Sequence, residues 1–104
     1  MEDDISLVWE LDALNDRENI FEYLYEFNPI SADKTDEIIE SIEDILISSP
    51  LAGVCKEGVR GRCFILTAVP FNIYYDFDGR VIRILRVLHQ KRQFPKLTAS
   101  YDLC

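Results

Sequence analysis

Long apolar runs and a basic amino terminus are both missing from this sequence. No stretch approaches the roughly 20 consecutive apolar residues that a membrane-spanning helix needs. The chain starts Met1-Glu2-Asp3-Asp4, whereas a signal peptide starts with positive charge. We therefore expect no membrane segment, no secretory leader and no membrane partner.

Histidine and cysteine, two common ligands of transition metals, are also scarce. The chain has one histidine, and its three cysteines, Cys55, Cys63 and Cys104, show no CxxC spacing. Because a metal site needs several ligands close together, we predict no metal ion and no cofactor. An odd number of scattered cysteines is typical of free thiols in a reducing compartment, so we predict a cytoplasmic protein.

Basic residues are outnumbered, and the acidic ones are concentrated in one half of the chain. Eleven Lys and Arg residues stand against nineteen Asp and Glu, a formal charge of −8, which argues against a general nucleic-acid coat. Residues 1–52 carry fifteen acidic and two basic residues, whereas residues 53–104 carry four acidic and nine basic ones. This asymmetry is either a functional dipole or the result of solvated acidic helices beside an arginine-bearing sheet.

Length and apolar content indicate one folded domain. A chain of 104 residues, 48% of them hydrophobic, can bury about two-thirds of its unfolded surface. We predict a single domain over residues 1–95. Residues 96–104 show no hydrophobic periodicity, and we predict a loose tail there.

The spacing of apolar residues changes from helical to strand-like at Gly53. Alternation over residues 5–11 predicts a strand, and two helical stretches follow it. The short break at Asn28-Pro29 predicts an antiparallel helical hairpin, with Ser31 as the cap of the second helix. Three strand-like runs follow Gly53. The sequence therefore predicts an α+β fold of order β-α-α-β-β-β, a small antiparallel sheet with the N-terminal helical hairpin packed on one face.

Asp78-Gly79 is the strongest hairpin signal in the chain. With this pair as a two-residue loop, Phe77 lies opposite Arg80, and the register then decides which side chains share a face. The face that carries the apolar residues should lie under the helices. On the first strand of the hairpin these are Phe71, Ile73, Tyr75 and Phe77.

The opposite face of this hairpin is partly polar and is the first candidate for a functional surface. Tyr74, Asp76 and Arg83 should lie on it. Val87 and His89 follow by parity, unless a β-bulge inverts the far end of the strand. Arg86 falls on the apolar face, where we expect it to pair with a carboxylate of a helix.

A set of short motifs spans roughly residues 5–95. They are residues 9–23, residues 50–53, Arg60 or Arg62 opening a strand, Tyr74-Tyr75 before a turn, and Ile84-Leu85-Arg86-Val87-Leu88-His89. In order and spacing they resemble the RelE/ParE superfamily of toxins from type II toxin–antitoxin modules. The last run is most similar to the ParE branch.

The resemblance implies a partner and two alternative activities. The partner is a cognate antitoxin that wraps the toxin with an amphipathic segment. ParE-like members poison DNA gyrase, and RelE-like members are ribosome-dependent endoribonucleases that cut mRNA. Either activity implies growth arrest on unopposed expression, and the ParE-like one implies plasmid stabilization.

The ribonuclease alternative needs cations together with a general acid and base around the reacting phosphate. Glu57, Arg62 and His89 lie approximately where ribonuclease members place such a set, so they are the catalytic residues if the chain is a nuclease. However, Gln90 follows His89 where a tyrosine would be expected.

The gyrase-poison reading needs a complementary surface rather than an acid–base pair, and it is the one we favour. Arg60 and Arg62 are equally suited to anchoring a loop and to contacting a target. We predict that the target-binding residues lie in the basic half of the chain. They are Arg60, Tyr74, Arg83, Lys91 and Arg92.

Overall fold

Three helices cover one face of a five-stranded sheet of order β1-β5-β4-β3-β2. The computed structural model describes residues 4–55 and 61–91, so the predicted tail over residues 96–104 lies outside the described residues. The elements are β1 Ser6–Trp9, α1 Leu11–Tyr25, α2 Pro29–Glu40, α3 Ile42–Ser48, β2 Val54–Cys55, β3 Arg62–Ile65, β4 Phe71–Phe77 and β5 Val81–His89. The predicted α+β class is confirmed.

Three details of this architecture differ from the prediction. The two-residue strand β2 makes four strands after Gly53 where the sequence predicts three. β1 pairs in parallel with β5, with Trp9 opposite Ile84, because the intervening helices and hairpin form a connection long enough for parallel pairing. The second helical stretch is broken at Ser41, which separates α2 from α3. The Ser41 hydroxyl donates to the Ile38 carbonyl over 2.6 Å, and such side-chain competition for backbone groups commonly interrupts a helix.

Asn28, rather than Ser31, caps α2. Its side-chain oxygen accepts hydrogen bonds from the amides of Ile30 and Ser31, over 3.0 and 3.2 Å. Pro29 is the first residue of the helix, where its missing amide hydrogen costs nothing. The connection between α1 and α2 is therefore limited to residues 26–28.

The hydrophobic core lies between the helices and the sheet. Phe71 and Phe77 pack against it from both ends of β4, which confirms that the odd-numbered residues of this strand face the helices. The members of the core with no exposed surface are Ala13, Ile39, Ile42, Leu46, Ile73, Tyr75, Ile82 and Ile84.

The turn between β4 and β5 is shifted by one residue from its predicted position. The Asp78 amide donates to the Val81 carbonyl over 3.3 Å, so Gly79 and Arg80 form the loop. The Asp78 carboxylate accepts from the amides of Arg80 and Val81 over 2.9 and 2.8 Å, which holds Asp78 just before the loop. The predicted pairing of Phe77 with Arg80 is wrong. The shift moves the pairing by two residues, so the faces around the turn are unchanged.

A β-bulge interrupts the pairing of β4 with β5. Tyr75 lies opposite Ile84 and Tyr74 lies opposite Arg86. Leu85 therefore has no counterpart in β4, and the parity of β5 changes at this point.

Beyond the bulge, Val87 and His89 point to the side opposite to the predicted one. Val87 is buried in the core on the helix side. The ring of His89 packs edge-on against Phe71, with 5.4 Å between the ring centroids. The prediction that Val87 and His89 share a face with Tyr74 is therefore wrong, because the extra residue in β5 inverts the alternation.

Trp9 connects β1 to the helical layer. Its indole N–H donates to Glu43 Oε2 of α3 over 2.7 Å. The guanidinium of Arg17 lies 4.6 Å from the centre of the indole ring, a distance at which a cation is attracted to the π face. Arg17 also makes two hydrogen bonds to the Asp36 carboxylate, of 3.0 and 2.9 Å. β1 and all three helices are thus tied together.

Asp16 of α1 holds the bulged segment of β5. Its carboxylate accepts from Arg86 Nε over 2.7 Å and from Arg86 Nη2 over 2.9 Å. Asp16 Oδ2 also accepts from the Val87 amide over 2.9 Å, and so provides a partner for a backbone group at the bulge. The hydrogen bonds from Arg86 to Asp16 raise the pKa of Arg86. The expected pairing of Arg86 with a helix carboxylate is confirmed.

We predict that Asp16→Ala lowers the free energy of unfolding by about 2 kcal/mol, because Arg86 and the Val87 amide lose their shared acceptor. Urea denaturation followed by circular dichroism measures the change. Glu18→Ala, which removes an exposed carboxylate from the same helix, should change the stability by less than about 0.5 kcal/mol. Equal midpoints for the two variants would contradict the role of Asp16.

Candidate functional site

The residues predicted as a catalytic set are not brought together in the described part of the chain. Arg62 begins β3 opposite Tyr75, and His89 ends β5 opposite Phe71. The two positions in β4 are four residues apart, which is about 13 Å along the strand. Glu57 lies outside the described residues, so its placement relative to Arg62 and His89 stays a prediction.

Arg62 and Tyr75 fasten the loop that follows α3. Arg62 Nη1 donates to the carbonyl oxygens of Gly53 and Leu51 over 2.7 and 3.3 Å. The Tyr75 hydroxyl donates to the Pro50 carbonyl and accepts from the Gly53 amide, each over 2.8 Å. Burial raises the pKa of this phenol. Of the two roles that Arg62 was suited to, the structure shows loop anchoring.

Two glycines allow the close approach of Tyr75 to its neighbours. A Cβ atom at Gly53 would lie 2.8 Å from Tyr75 Cε1, and one at Gly61 would lie 2.3 Å from the Tyr75 carbonyl oxygen. Gly61 also has a φ of +76°, which side chains other than hydrogen disfavour. The anchoring role of Tyr75 was not predicted from the sequence, although these glycines beside an apolar strand were a usable signal.

The side of the sheet that faces away from the helices is less exposed than predicted. Tyr74 is only 3% exposed and clusters with Cys63 and Leu88. Burial raises the pKa of its phenol. Tyr74 therefore lies within this side of the sheet and not on the exposed surface where the sequence placed it.

Arg83 lies on this side of the sheet as predicted, but two nearby carboxylates partly neutralise its positive charge. Its Nη1 is 3.4 Å from Asp78 Oδ2 and 3.8 Å from Asp76 Oδ1, and its side chain is 39% exposed. Arg80 and Lys91 are exposed. The remaining predicted target-binding residues, Arg60 and Arg92, lie outside the described residues.

A groove of about 570 Å³ opens between the helical hairpin and the ends of β4 and β5. Phe71 and Val87 of the sheet and Ile20 of α1 supply apolar walls. Asn19 and Tyr23 of α1, Ser31 and Thr35 of α2, and His89 add polar groups. This groove was not predicted from the sequence, because the bulge that turns Val87 and His89 toward it has no clear sequence signal.

His89 takes part in a local contact at the end of this groove. Its Nδ1 accepts a hydrogen bond from the Lys91 amide over 3.1 Å. In a neutral ring the hydrogen atom then lies on Nε2. Together with the contact to Phe71, this gives His89 a structural role on the helix side of the sheet.

The cysteines differ from the prediction. Cys63 is a buried thiol, whereas Cys55 forms a disulfide bond, so the prediction of free thiols is wrong for Cys55. Spacing along the chain does not show which cysteines meet in the folded protein. Cys104 lies outside the described residues.

Residues 4–55 and 61–91 contain neither a membrane-spanning helix nor a metal-binding cluster. No helix there combines the length and the apolar composition needed to cross a bilayer. Within the same ranges, no three His, Cys, Asp or Glu side chains lie together in a way that could hold a metal ion.

The similarity of this chain to known proteins covers nearly all of the fold. Residues 7–94 match the family model described as the ParE toxin of the type II toxin–antitoxin system, parDE. The chain belongs to the ParE toxin family. The toxin is also similar to a solved structure of the chromosomal ParDE toxin–antitoxin system from P. aeruginosa, with a TM-score of 0.71 and 26% sequence identity. That match covers 82% of this chain and 95% of the other. No match is found among the curated proteins.

Membership of this family confirms the resemblance to the ParE branch and implies an antitoxin as partner. The match over residues 7–94 includes the helical hairpin, the groove and the whole β4–β5 hairpin. The features described above therefore belong to the toxin domain itself.

We predict that the stability of the toxin falls above about pH 10, where unfolded tyrosine ionises. Burial raises the pKa of Tyr75 in the folded protein, so its contribution is fully present below the unfolded pKa and is lost as the pH rises through the folded pKa. Tyr75→Phe should lower the free energy of unfolding by about 1–2 kcal/mol at neutral pH and weaken the alkaline decline. Urea midpoints at about pH 8 and about pH 10.5 measure both effects.

The control for this prediction is Tyr23→Phe, because the Tyr23 side chain is 64% exposed. This variant should match the unmodified toxin at both pH values. An alkaline decline that is the same in Tyr75→Phe as in the unmodified toxin would contradict the assignment.

Proposed function

We propose that this toxin is a ParE-like poison of DNA gyrase that acts in the cytoplasm and is neutralised by its cognate antitoxin. On this proposal, unopposed toxin arrests growth, and the toxin–antitoxin pair serves plasmid stabilization. The poison binds the complex of gyrase with cleaved DNA and slows religation. Binding of this kind needs a complementary surface and no general acid or base.

The separation of Arg62 from His89 is the observation that supports binding over RNA cleavage. The Arg62 guanidinium donates to two loop carbonyls, and the His89 ring lies about four strand positions away against Phe71. Stabilising a phosphorane and transferring its protons would require both groups within hydrogen-bond reach of one phosphate. A poison has no such requirement.

The exposed cations of the β4–β5 hairpin are suited to contact DNA held by gyrase. Arg80 projects from the turn, Arg83 is partly exposed on the sheet, and Lys91 follows the end of β5. Phosphate contacts from such side chains position a protein on DNA without reading its sequence. Arg60 and Arg92 remain predicted members of this surface.

The decisive experiment combines purified toxin, gyrase, ATP and relaxed plasmid. We expect the toxin to inhibit supercoiling and to increase the amount of linear, protein-bound DNA. The triple variant Arg80→Ala/Arg83→Ala/Lys91→Ala should need several-fold more protein for the same effect, because each exposed cation contributes up to about 1 kcal/mol. Lys34→Ala, which removes an exposed lysine from the helical layer, is the matched control and should behave like the unmodified toxin.

If gyrase is unaffected and the toxin instead cuts mRNA on purified ribosomes, the proposal is wrong and the ribonuclease alternative replaces it. If the triple variant inhibits gyrase as well as Lys34→Ala does, the toxin contacts gyrase through another surface.

We predict that His89→Ala retains full growth arrest in bacteria, because the contacts of His89 with the described residues Phe71 and Lys91 are local ones. Induced expression with growth and an SOS reporter followed over time measures this. Loss of arrest in a variant whose thermal midpoint is unchanged would favour acid–base catalysis by His89 and count against the gyrase proposal.

A further inference from the structure

We propose that residues 92–104 of the toxin cover the side of the sheet that faces away from the helices, and that a disulfide bond between Cys55 and Cys104 holds this cover in place. We call this side of the sheet the outer face. Reduction of the disulfide releases the cover and exposes the outer face. Neither the cover nor the disulfide depends on which target the toxin has.

Side chains on the outer face are buried, although the three described helices all lie on the other face of the sheet. Cys63 is 1% exposed, Tyr74 and Leu88 are each 3% exposed, and the neighbouring Asn72 is 5% exposed. A sheet that packs helices on one face only presents alternating apolar and polar residues. Strand β3 instead contains the run Cys63-Phe64-Ile65, and β4 contains Ile73-Tyr74-Tyr75. Such runs are typical of strands that are buried on both faces.

Residues 92–104 are well placed to cover Leu88, because they begin four residues after it in the sequence. The amino terminus of the chain is not. Ser6 of β1 lies opposite Val81 at the other end of β5, which is about 23 Å from Leu88 along the strand. The five residues before Ser6 span at most about 18 Å, so they fall short of Leu88.

The connection from β2 to β3 also falls short of Leu88. Because this connection of residues 56–61 has to return to β3, it extends at most about 11 Å from the sheet edge. Arg62, where β3 begins, lies opposite Tyr75, whereas Leu88 lies opposite Asn72. Leu88 is therefore two strand spacings and three residue positions away from Arg62, which is about 14 Å.

The disulfide bond of Cys55 is a second, independent observation. Cys55 is disulfide-bonded, whereas Cys63 is a free thiol. The chain has three cysteines, so a disulfide within one chain leaves Cys104 as the partner of Cys55. Cys104 is the last residue of the sequence. The bond therefore fixes the far end of residues 92–104 at strand β2.

The path from the end of β5 to Cys55 crosses the outer face. Three strand spacings separate β5 from β2, which is about 14 Å across the sheet. The pairing of the strands places Lys91 and Cys55 six residue positions apart along the strand direction, which is about 20 Å. The direct distance is about 25 Å, whereas residues 92–104 can span about 43 Å. Because β2 is an edge strand, Cys55 can be reached from the outer face.

The composition of residues 92–104 suits a cover whose stability depends on the disulfide. Phe94, Leu97, Tyr101 and Leu103 provide apolar surface that is stabilised by burial against Tyr74 and Leu88. The conformational entropy lost on ordering the segment opposes this gain. A disulfide restrains both ends of the segment and so lowers the entropy cost. The sequence predicts a loose tail over residues 96–104, and on this proposal the tail is loose only in the reduced toxin.

Thiol–disulfide exchange with a low-molecular-weight thiol opens the bond, and Cys55 is on the exposed edge strand. The thiolate attacks one sulfur of the disulfide, forms a mixed disulfide and releases the other cysteine as a thiolate. A second molecule of the thiol then attacks the mixed disulfide. The products are two cysteine thiols and one disulfide of the small thiol, so the two electrons gained by the toxin come from the two small thiols.

Reduction exposes a predicted target-binding residue. Tyr74 is buried on the outer face, and Arg83 lies on the same side of the sheet, partly exposed. On the proposed function, the reduced toxin is therefore the stronger gyrase poison. This consequence alone rests on the proposed function.

The first experiment maps the disulfide in full-length toxin that has been oxidised with glutathione disulfide. Trypsin cleaves after Lys56, Arg62 and Lys96, and so places the three cysteines on separate peptides. We expect mass spectrometry under non-reducing conditions to show the Cys55 peptide linked to the Cys104 peptide in a monomeric toxin. A disulfide that contains Cys63, or one that joins two copies of the chain, would overturn the proposal.

The second experiment uses Cys63 as a reporter of the outer face. Its alkylation by N-ethylmaleimide is followed by mass spectrometry of the tryptic peptide that contains it. We expect alkylation at least about tenfold slower in the oxidised toxin than in the reduced toxin, because a buried thiol reacts only after local opening. Cys104→Ser and Cys55→Ser each remove the disulfide and should react fast in both conditions. Glu18→Ala keeps both cysteines and should behave like the unmodified toxin.

Equal alkylation rates in the oxidised toxin and in Cys104→Ser would show that the disulfide does not hold the cover. A variant that ends at Arg92 tests the cover itself, with circular dichroism as the check of its fold. Slow alkylation of Cys63 in this variant would show that another element buries the outer face. Either result would overturn the proposal.

A gyrase assay separates this proposal from the proposed function. Toxin is oxidised or reduced beforehand, and the small thiols and disulfides are removed before gyrase is added. We expect the oxidised toxin to need several-fold more protein than the reduced toxin, and Cys104→Ser to be equally potent after both treatments. Equal potency of the oxidised and reduced toxin would refute control of target binding by the cover. If neither form affects gyrase, the proposed function is wrong, and the alkylation of Cys63 still decides whether the cover exists.

Discussion

The contact of Asp16 with the bulged segment of β5 determines much of the arrangement around it. A carboxylate on the first helix accepts hydrogen bonds from a side chain and a backbone amide some 70 residues later in the chain. The contact lies where the alternation of side chains along β5 is inverted. Past this point, the Val87 side chain lies in the core and the His89 ring packs against Phe71 on the helix side. The burial of Val87 in the core and the lining of the groove by His89 accompany this inverted alternation.

Several arginines of the basic half are paired within the protein, so the net charge of that half overstates the positive charge of its surface. The arginines of the basic half suggest a cationic surface, but Arg62 and Arg86 are engaged with loop carbonyls and with Asp16. Arg83 lies within reach of two carboxylates. Within residues 4–55 and 61–91, Arg17 and Arg86 neutralise Asp36 and Asp16 of the helices. The exposed row of Glu18, Glu22 and Glu26 keeps the helical layer acidic.

The sequence predicted only part of the arrangement in which Arg62 and Tyr75 anchor the loop after α3. Gly53, Gly61 and the neighbouring tyrosines marked a region of tight packing, yet nothing in their spacing showed that Tyr75 and Arg62 grip the same loop. Those hydrogen bonds join residues up to 25 positions apart, and their geometry is set by the pairing of β3 with β4. Local patterns carry no information about such pairing.

The sequence by itself determined the α+β class, the helical hairpin, the strands of the second half and the apolar face of β4. These features follow from the periodicity of apolar residues, which is a local property of helices and strands. Only the tertiary structure decided the position of the β4–β5 turn, the bulge, the side on which His89 lies and the groove beside it. A single extra residue in β5 inverts the sides on which Val87 and His89 lie, and the carboxylate of a distant helix accepts hydrogen bonds from the segment that follows it.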